Sequence, residues 1–324
     1  MMGTKAVHPP RAIPHPNGVL NVTAPQTLAT TLGTHMAAEL ASQPETWARA
    51  AELRDEQARL PESGARVAVV GCGTSWFIAQ SYACLREASG HGETDAFAAS
   101  EAFVERSYDA VVALTRSGTT TEVLQLVERL RGRVPTVGVV ADATSPLAGL
   151  VDEVVALAFA DERSIVQTRF ATTALAFFRA SLGEDLDSAV ADAGRALGEE
   201  FDPELIAAEQ FTFLGRGWTV GLAHEAALKM REASQSWTES YPAMEYRHGP
   251  ISIAAPGRVA WHFGEAPAGL ATGVALAGAR FEAGRLDPMA ELVRAQRVAL
   301  TRAQAKGLDP DSPRNLTRSV VLDG

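Results

Sequence analysis

Two stretches of this chain repeat one pattern of residues at a separation of 144 positions. VVGCGTSWFIAQSYACLREA at 69–88 aligns without a gap with FLGRGWTVGLAHEAALKMRE at 213–232, and the alignment pairs Gly71 with Gly215. Each stretch leads from an apolar run through a glycine turn into a helical pattern. A repeat of this kind indicates that a whole structural unit occurs twice.

The segments between these landmarks predict the architecture of the units. Apolar runs rich in β-branched residues alternate with helical patterns: the predicted strands are 67–70, 110–114, 135–140 and 154–159, and the predicted helices are 27–60, from about Trp76, from Thr121, and 168–181. This alternation is typical of parallel strands covered by helices on both faces. We therefore predict an α/β fold of tandem, doubly wound parallel sheets in three α/β/α layers.

The chain divides into four predicted segments. They are a Pro-rich arm at 1–26, a first domain at 27–200, a second domain at 201–304 and a C-terminal tail at 305–324. The stretch 253–286 is short and rich in alanine and glycine. We therefore expect the second domain to be a truncated copy of the first.

Composition restricts the classes of partner. With a net charge of −10 over 324 residues, the chain offers no electrostatic attraction for nucleic acid or an anionic membrane. Cys72 and Cys84 are the only cysteines, so there is no disulfide framework and no zinc spacing, and we expect neither a metal nor an organic cofactor. Prolines near the N-terminus do not fit a signal peptide, and polar residues interrupt the apolar stretch 259–279. A soluble, cytoplasmic protein is expected.

The second copy carries ionisable residues where the first is neutral. Glu225, Lys229 and Glu232 are spaced by four and then three residues, so a helix stacks them on one face. That helix is expected to end at Tyr241–Pro242, and His248 follows in a His-Gly-Pro loop. Only three of the 29 basic residues are lysines, so a lysine here suggests a need for a titratable amine. The set can move protons; the alternative is an exposed helix with surface ion pairs.

Position along the helix separates the two carboxylates. Glu225 lies two turns nearer the helix start, where the positive end of the helix dipole is expected to lower its pKa. Glu232 is predicted to lie deeper, where burial would raise its pKa toward the working range of a general base. We therefore predict that Glu232 is the proton-transfer base and that Glu225 orients Lys229.

Two loops rich in hydroxyl groups follow neighbouring predicted strands. LTRSGTTTE at 114–122 combines five serines and threonines with Gly118 at a strand-to-helix junction, where unpaired helix amides can bind a phosphate. GCGTS at 71–75 forms a similar loop on the same expected sheet edge. The alternative is that both loops only cap helices. The second copy lacks SGTTTE, so one phosphate per chain is expected.

Five motifs in order carry a family resemblance. They are GCGTS at 71–75, SGTTTE at 117–122, ALKMRE at 227–232, YRHGP at 246–250 and PRNLTRSV at 313–320. Together they resemble the sugar isomerase (SIS) domain family, and in particular the isomerase half of glucosamine-6-phosphate synthase and the glutaminase-free amino-sugar phosphate deaminases and isomerases. The resemblance covers nearly the whole chain after about residue 27.

The resemblance implies a hexose 6-phosphate bound in the first domain of a homodimer whose sites are completed across the subunit interface. It implies that Glu232 moves a proton between C1 and C2 with Lys229 beside it, and that His248 opens the sugar ring from the partner subunit. The substrate-binding residues that it implies are Cys72, Gly73, Thr74, Ser75, Thr115, Arg116, Ser117, Thr120, Gln167 and Arg318.

Departures from the family pattern shape the expected reaction. We expect no glutaminase domain, and Arg318 stands where the synthase carries a lysine able to form a Schiff base. The expected activity is isomerisation or deamination of an amino-sugar 6-phosphate, for example glucosamine 6-phosphate to fructose 6-phosphate and ammonia. Two alternatives stay open: a dehydratase that eliminates water from N-acetylglucosamine 6-phosphate, and a non-catalytic sugar-phosphate sensor.

Overall fold

The computed structural model describes residues 32–322. The arm at 1–26 and the start of the helix predicted from Thr27 lie outside the described residues. The rest of that predicted helix is three short helices, α1 (Thr34–Ala41), α2 (Gln43–Ala51) and α3 (Arg54–Gln57). Pro44 at the start of α2 cannot donate a backbone hydrogen bond, which favours a new helix there over continuation of α1.

The first copy is a five-stranded parallel sheet with flanking helices, within the described range 32–322. Its elements are β1 (Val67–Gly71), α4 (Thr74–Ala88), β2 (Thr94–Ala98), β3 (Ala110–Thr115), α5 (Thr121–Leu130), β4 (Thr136–Val140), β5 (Glu153–Ala156), α6 (Arg169–Ser181) and α7 (Asp187–Gly198). The strand order is β2-β1-β3-β4-β5 and every pair is parallel. The sequence did not predict β2, because TDAFA is short and only partly buried at the sheet edge.

The second copy repeats this plan with one strand fewer among the residues that the structure describes. Its elements are α8 (Pro203–Ala207), β6 (Gln210–Gly215), α9 (Thr219–Ser234), β7 (Trp237–Pro242), β8 (Arg258–His262), α10 (Leu270–Leu276), β9 (Arg280–Ala283) and α11 (Pro288–Ala305). The strand order is β7-β6-β8-β9, again all parallel. The predicted α/β class of tandem parallel sheets is confirmed. The domain boundary at residue 200 stays a prediction.

One boundary prediction is wrong: α9 does not reach Tyr241–Pro242. It ends at Ser234, where Gln235 takes a left-handed conformation with φ 49°. The following residues form the edge strand β7, which pairs with β6 from Gln210↔Trp237 onward. Pro242 is tolerated because it lies at the end of an edge strand.

The duplicated glycines have similar φ angles in both copies. Gly73 and Gly217 both have a positive φ, of 53° and 58°. A Cβ on Gly71 would lie 2.8 Å from the backbone of Ser75, and one on Gly215 would lie 2.2 Å from the backbone of Thr219. The repeat therefore encodes one strand-to-helix turn used twice, in which each helix begins against its strand.

The two copies meet where α4 crosses α9. A Cβ on Gly221 would lie 2.3 Å from the Phe77 carbonyl oxygen and 2.3 Å from the Ser81 hydroxyl, so the helices touch backbone to backbone. Ser81 also donates a 2.9 Å hydrogen bond to the Trp218 carbonyl. One buried apolar cluster contains residues of both copies. The crossing therefore fixes α9 against the carboxyl edge of the first sheet.

We predict that Gly221→Ala destabilises the protein. The added methyl group must push α4 and α9 apart, and overpacking of this kind costs about 1–3 kcal/mol. The control is Gly194→Ala, in the middle of α7, where a Cβ has no heavy atom within 4 Å. That change should raise the free energy of unfolding by up to about 1 kcal/mol. Urea denaturation measures both; equal effects would contradict a close helix contact at Gly221.

Candidate functional site

A cavity of about 190 Å³ lies at the carboxyl edge of the first sheet. Twelve of the predicted site residues line it: Cys72, Gly73, Thr74, Ser75, Thr115, Arg116, Ser117, Thr120, Gln167, Lys229, Glu232 and Arg318. The two hydroxyl-rich loops, the turn before α6, helix α9 and the tail thus share one space. The roles of these residues stay predictions. A larger cavity of about 540 Å³ at the amino edge of the sheet contains none of them.

The hydroxyl-rich loop at 114–122 wraps the start of α5. Thr115 ends β3, and Thr120 is the residue before the first turn of the helix. Gly118 has φ 62°, and a Cβ there would lie 2.1 Å from the Ser145 hydroxyl, so only glycine fits. The tail already contacts this loop, since the Thr121 amide donates to the Val320 carbonyl at 3.1 Å.

The ionisable column on α9 is buried. The Lys229 ammonium contacts the Glu232 carboxylate directly and lies 3.7 Å from a carboxylate oxygen of Glu225. The side chains of Lys229 and Glu225 are 1% and 0% exposed, whereas Glu232 is 19% exposed. An exposed helix with surface ion pairs is therefore excluded. Glu232 and Lys229 line the cavity, and Glu225 does not. The prediction that Glu232 is the more deeply buried of the two carboxylates is therefore wrong.

The expectation that the helix dipole lowers the pKa of Glu225 is wrong. Complete burial raises its pKa to about 8, although the positive charge of Lys229 opposes this change. Removal from water outweighs the dipole because the side chain reaches no solvent. Burial alone would lower the pKa of Lys229, but Glu225 and Glu232 raise it above its usual value. The amine is therefore held as an ammonium beside the cavity.

The cavity wall that contains Arg116 and Arg318 is held by acidic side chains, a buried one at Arg116 and a partly exposed one at Arg318. The Arg116 guanidinium lies 3.7 Å from the fully buried Glu162 carboxylate. It donates to the carbonyls of Ser164 at 3.0 Å and Arg318 at 3.1 Å. The Arg318 guanidinium in turn contacts Asp161 at 2.5 Å. Sequence reasoning named both arginines but not the acids that hold them, because no local pattern marks Asp161 or Glu162.

Two further side chains line the cavity, the amide of Gln167 and the thiol of Cys72. The Gln167 side-chain nitrogen is buried and donates to no acceptor among residues 32–322, so it is free to donate to a ligand. Burial and the nearby Glu122 raise the pKa of the Cys72 thiol, which keeps it protonated and poorly nucleophilic.

Four tail residues on the cavity wall were not among the predicted site residues, although they lie within the PRNLTRSV motif: Leu316, Thr317, Ser319 and Val320.

His248 does not line this cavity. It lies exposed at the end of a short 3₁₀ turn, Glu245–His248, and is followed by Gly249 with φ 138°. The His-Gly-Pro loop follows strand β7, whose position fixes it on the second sheet. Within one chain the structure therefore brings together every predicted site residue except the histidine.

Other classes of site find no support in the part of the chain that the structure describes. No three His, Cys, Asp or Glu side chains between residues 32 and 322 are grouped to hold a metal ion. No helix in the same range is long and apolar enough to cross a membrane.

Solved structures share this architecture. Glucosamine-6-phosphate deaminase from Thermotoga maritima superposes with a TM-score of 0.78 at 24% identity, covering 89% of this chain and 100% of that one. The C-terminal domain of glucosamine-fructose-6-phosphate aminotransferase from Francisella tularensis gives a TM-score of 0.72 at 21% identity, covering 86% and 98%. The fold is that of tandem sugar isomerase (SIS) domains.

Sequence relatives point the same way. The glutamine–fructose-6-phosphate aminotransferase (isomerizing) of Sulfolobus acidocaldarius is 26% identical over 306 residues, covering 81% of this chain and 51% of that protein. The protein of the same name from a Nostoc species is 27% identical over 337 residues, covering 82% and 54%. The chain spans about half the length of these curated relatives. No protein-family model matches it. The predicted resemblance to sugar isomerase domains is confirmed.

We predict that Glu225 makes stability depend on pH. Its pKa is about 8 in the folded protein and 4.5 ordinarily, so the folded state keeps a proton that the unfolded chain releases. This stabilisation is complete below about pH 4.5 and is lost as pH rises through about 8. Glu225→Gln should flatten the decline, by up to about 1.4 kcal/mol per pH unit.

Urea denaturation across that pH range tests this prediction. Glu39, whose pKa burial raises to about 7, contributes a decline of the same sign in both proteins and cancels from the difference. Identical pH profiles for the wild type and Glu225→Gln would contradict a protonated Glu225.

Proposed function

We propose that this protein processes an amino-sugar 6-phosphate by ring opening and proton transfer between C1 and C2. The observation that carries the proposal is the ion pair between the buried Lys229 and the partly exposed Glu232, which reaches the same cavity as the hydroxyl-rich start of α5. One end of the cavity suits a phosphate and the other suits proton transfer. The relatives and similar folds support a phosphosugar as the class of ligand.

In the proposed chemistry, the loop at the start of α5 binds the phosphate and the Lys229–Glu232 pair carries out the proton transfer. The phosphate binds to hydroxyls and amides of the loop around Ser117 and Thr120. Glu232 removes the proton from C2 of the open-chain aldose, and the Lys229 ammonium stabilises the negative charge that develops on the carbonyl oxygen. Return of the proton to C1 of a 2-amino sugar gives a ketimine, and its hydrolysis yields the ketose 6-phosphate and ammonia.

Two alternatives start from the same bound sugar. In a dehydratase, the intermediate expels the C3 hydroxyl in place of reprotonation at C1, and the N-acetyl group stays attached. Arg318 holds Asp161 and the Glu162 carbonyl, so the chain presents no Schiff-base amine from the tail, and elimination remains chemically open. A sensor would bind the sugar phosphate without turnover.

Proton NMR in deuterated water tests the function and its base. With glucosamine 6-phosphate we expect deuterium at the reacting carbon, fructose 6-phosphate and ammonia. A new vinylic signal with N-acetylglucosamine 6-phosphate would identify the dehydratase. Binding without exchange or turnover would identify the sensor, and absence of binding as well would overturn a phosphosugar site.

We predict that Glu232→Gln lowers turnover by about a hundredfold or more with little change in affinity. Glutamine keeps the shape and loses the base. The matched control is Glu225→Gln on the same helix face, which should cost less because Glu225 lies outside the cavity. Near-normal exchange in Glu232→Gln together with abolished exchange in Glu225→Gln would reverse the assignment.

We predict that Ser117 and Thr120 bind the phosphate. Their double alanine variant loses two hydroxyl donors and keeps the helix amides, so affinity should fall by about 1–3 kcal/mol while the fold survives. Thr144→Ala is the control, since its hydroxyl donates to Asp142 outside this cavity. Calorimetry with a sugar 6-phosphate and with the unphosphorylated sugar measures the effect. Unchanged affinity for the phosphate ester would rule out this loop.

We further propose that the active form is a homodimer in which His248 is supplied by a second copy. The support is that His248 is exposed and lies outside the cavity to which the other predicted residues belong. Histidine titrates near neutrality, which suits the acid-base step of ring opening.

Subunit mixing tests the dimer. Glu232→Gln and His248→Ala should each be inactive as pure dimers, whereas a mixture should regain activity from hybrid dimers with one intact site. Subunit exchange is verified by mass spectrometry with one partner isotopically labelled. Exchange without recovered activity would place both residues of a site in one chain.

A further inference from the structure

Arg116 lines the cavity, yet the protein itself occupies its guanidinium. The side chain is 5% exposed, and it donates to the Ser164 carbonyl at 3.0 Å and to the Arg318 carbonyl at 3.1 Å. These two bonds use two of the five N–H donors of the guanidinium. Through them Arg116 links two separate segments of the chain as a brace.

The brace is anchored to a helix. Glu162, the charge partner of Arg116 at 3.7 Å, accepts hydrogen bonds from the amides of Thr168, Arg169 and Phe170 at 2.6, 2.7 and 3.1 Å. A carboxylate at the start of α6 is favoured by the helix dipole. Arg116 is thereby fixed to the first turn of α6 and to the end of β3 at once.

The tail is the exposed part of this assembly. Arg318 and its neighbours are largely exposed, and their contacts include Thr119 to Ser319 at 2.9 Å and the Thr121 amide to the Val320 carbonyl at 3.1 Å. Arg116 is the buried member of this set of contacts. It holds the tail at the residue where the tail crosses the cavity.

We propose that Arg116 is a positioning residue that holds the tail over the hydroxyl-rich loop at 114–122 and influences substrate binding through the tail. The identity of the ligand in this inference rests on the proposed function, whereas the contact between Arg116 and the tail does not. Lysine at this position keeps the charge but cannot donate to both carbonyls in the same geometry. Arg116→Lys should therefore loosen the tail and raise KM, with kcat nearly unchanged.

The rate of tryptic cleavage measures how firmly the tail is held, and the measurement does not require the protein to turn over a substrate. Trypsin cleaves after Arg318, and the carbonyl of that bond is the one that accepts from Arg116. We expect Arg116→Lys to speed this cleavage about tenfold, as for the loss of one buried hydrogen bond. Arg179→Lys is the matched control, because Arg179 is also buried and held by carboxylates, those of Glu184 and Asp287, away from the cavity.

Equal cleavage rates in Arg116→Lys and Arg179→Lys would overturn the hold on the tail. If Arg116→Lys does not fold, Glu162→Gln is the second variant. It keeps an oxygen for the α6 amides and removes the charge that fixes Arg116, so cleavage after Arg318 should again accelerate.

A double-mutant cycle in the full chain tests whether Arg116 acts through the tail. Arg116→Lys alone should raise the dissociation constant for glucosamine 6-phosphate about tenfold; added to Arg318→Ala, which removes the contacts of the tail to Asp161 and the Glu162 carbonyl, it should raise it by less than about twofold. A full tenfold effect in the Arg318→Ala protein would mean that Arg116 contacts the substrate directly. The two proposals can fail separately. If Arg116→Lys is cleaved faster but the wild type binds no sugar phosphate, the role of Arg116 in holding the tail is supported and the proposed function is not.

Discussion

The close crossing of α4 and α9 is the contact on which the candidate site depends. Gly221 lets the two helix backbones approach until a single methyl group would no longer fit. Because α4 begins at Thr74 in one hydroxyl-rich loop and α9 carries Lys229 and Glu232, this approach brings that loop and the charged residues of α9 into one cavity. A wider crossing would leave two half-sites on two sheets.

The same crossing determines the electrostatics. Burial against the first copy removes Glu225 and Lys229 from water, which is costly unless the charges are paired or neutralised. The protein uses both solutions: Glu225 holds its proton, while Lys229 remains charged against Glu232 at the cavity edge. A carboxylate kept partly accessible beside a fixed ammonium is the arrangement that proton abstraction next to a carbonyl requires.

The sequence predicted the parts of this structure that local patterns encode. Apolar periodicity located β1, β3, β4 and β5, and the repeat located the turn shared by Gly71 and Gly215. It failed at β2, which is only partly buried, and at the end of α9, where a non-glycine residue, Gln235, takes a left-handed turn. The brace from Arg116 to the Arg318 carbonyl spans 202 positions, and no periodicity reports contacts of that range.

The two copies contribute different parts of one site. The first copy has the hydroxyl-rich loop at 114–122 and a neutral helix face, whereas the second has no such loop and carries the charged column of α9. The tail then closes a wall that neither copy supplies, held by the guanidinium of Arg116 and by that of Arg318 on Asp161. An arginine side chain stays protonated and cannot act as a base, so of the charged groups on the cavity wall Lys229 and Glu232 of α9 are the ones suited to the proposed proton transfer.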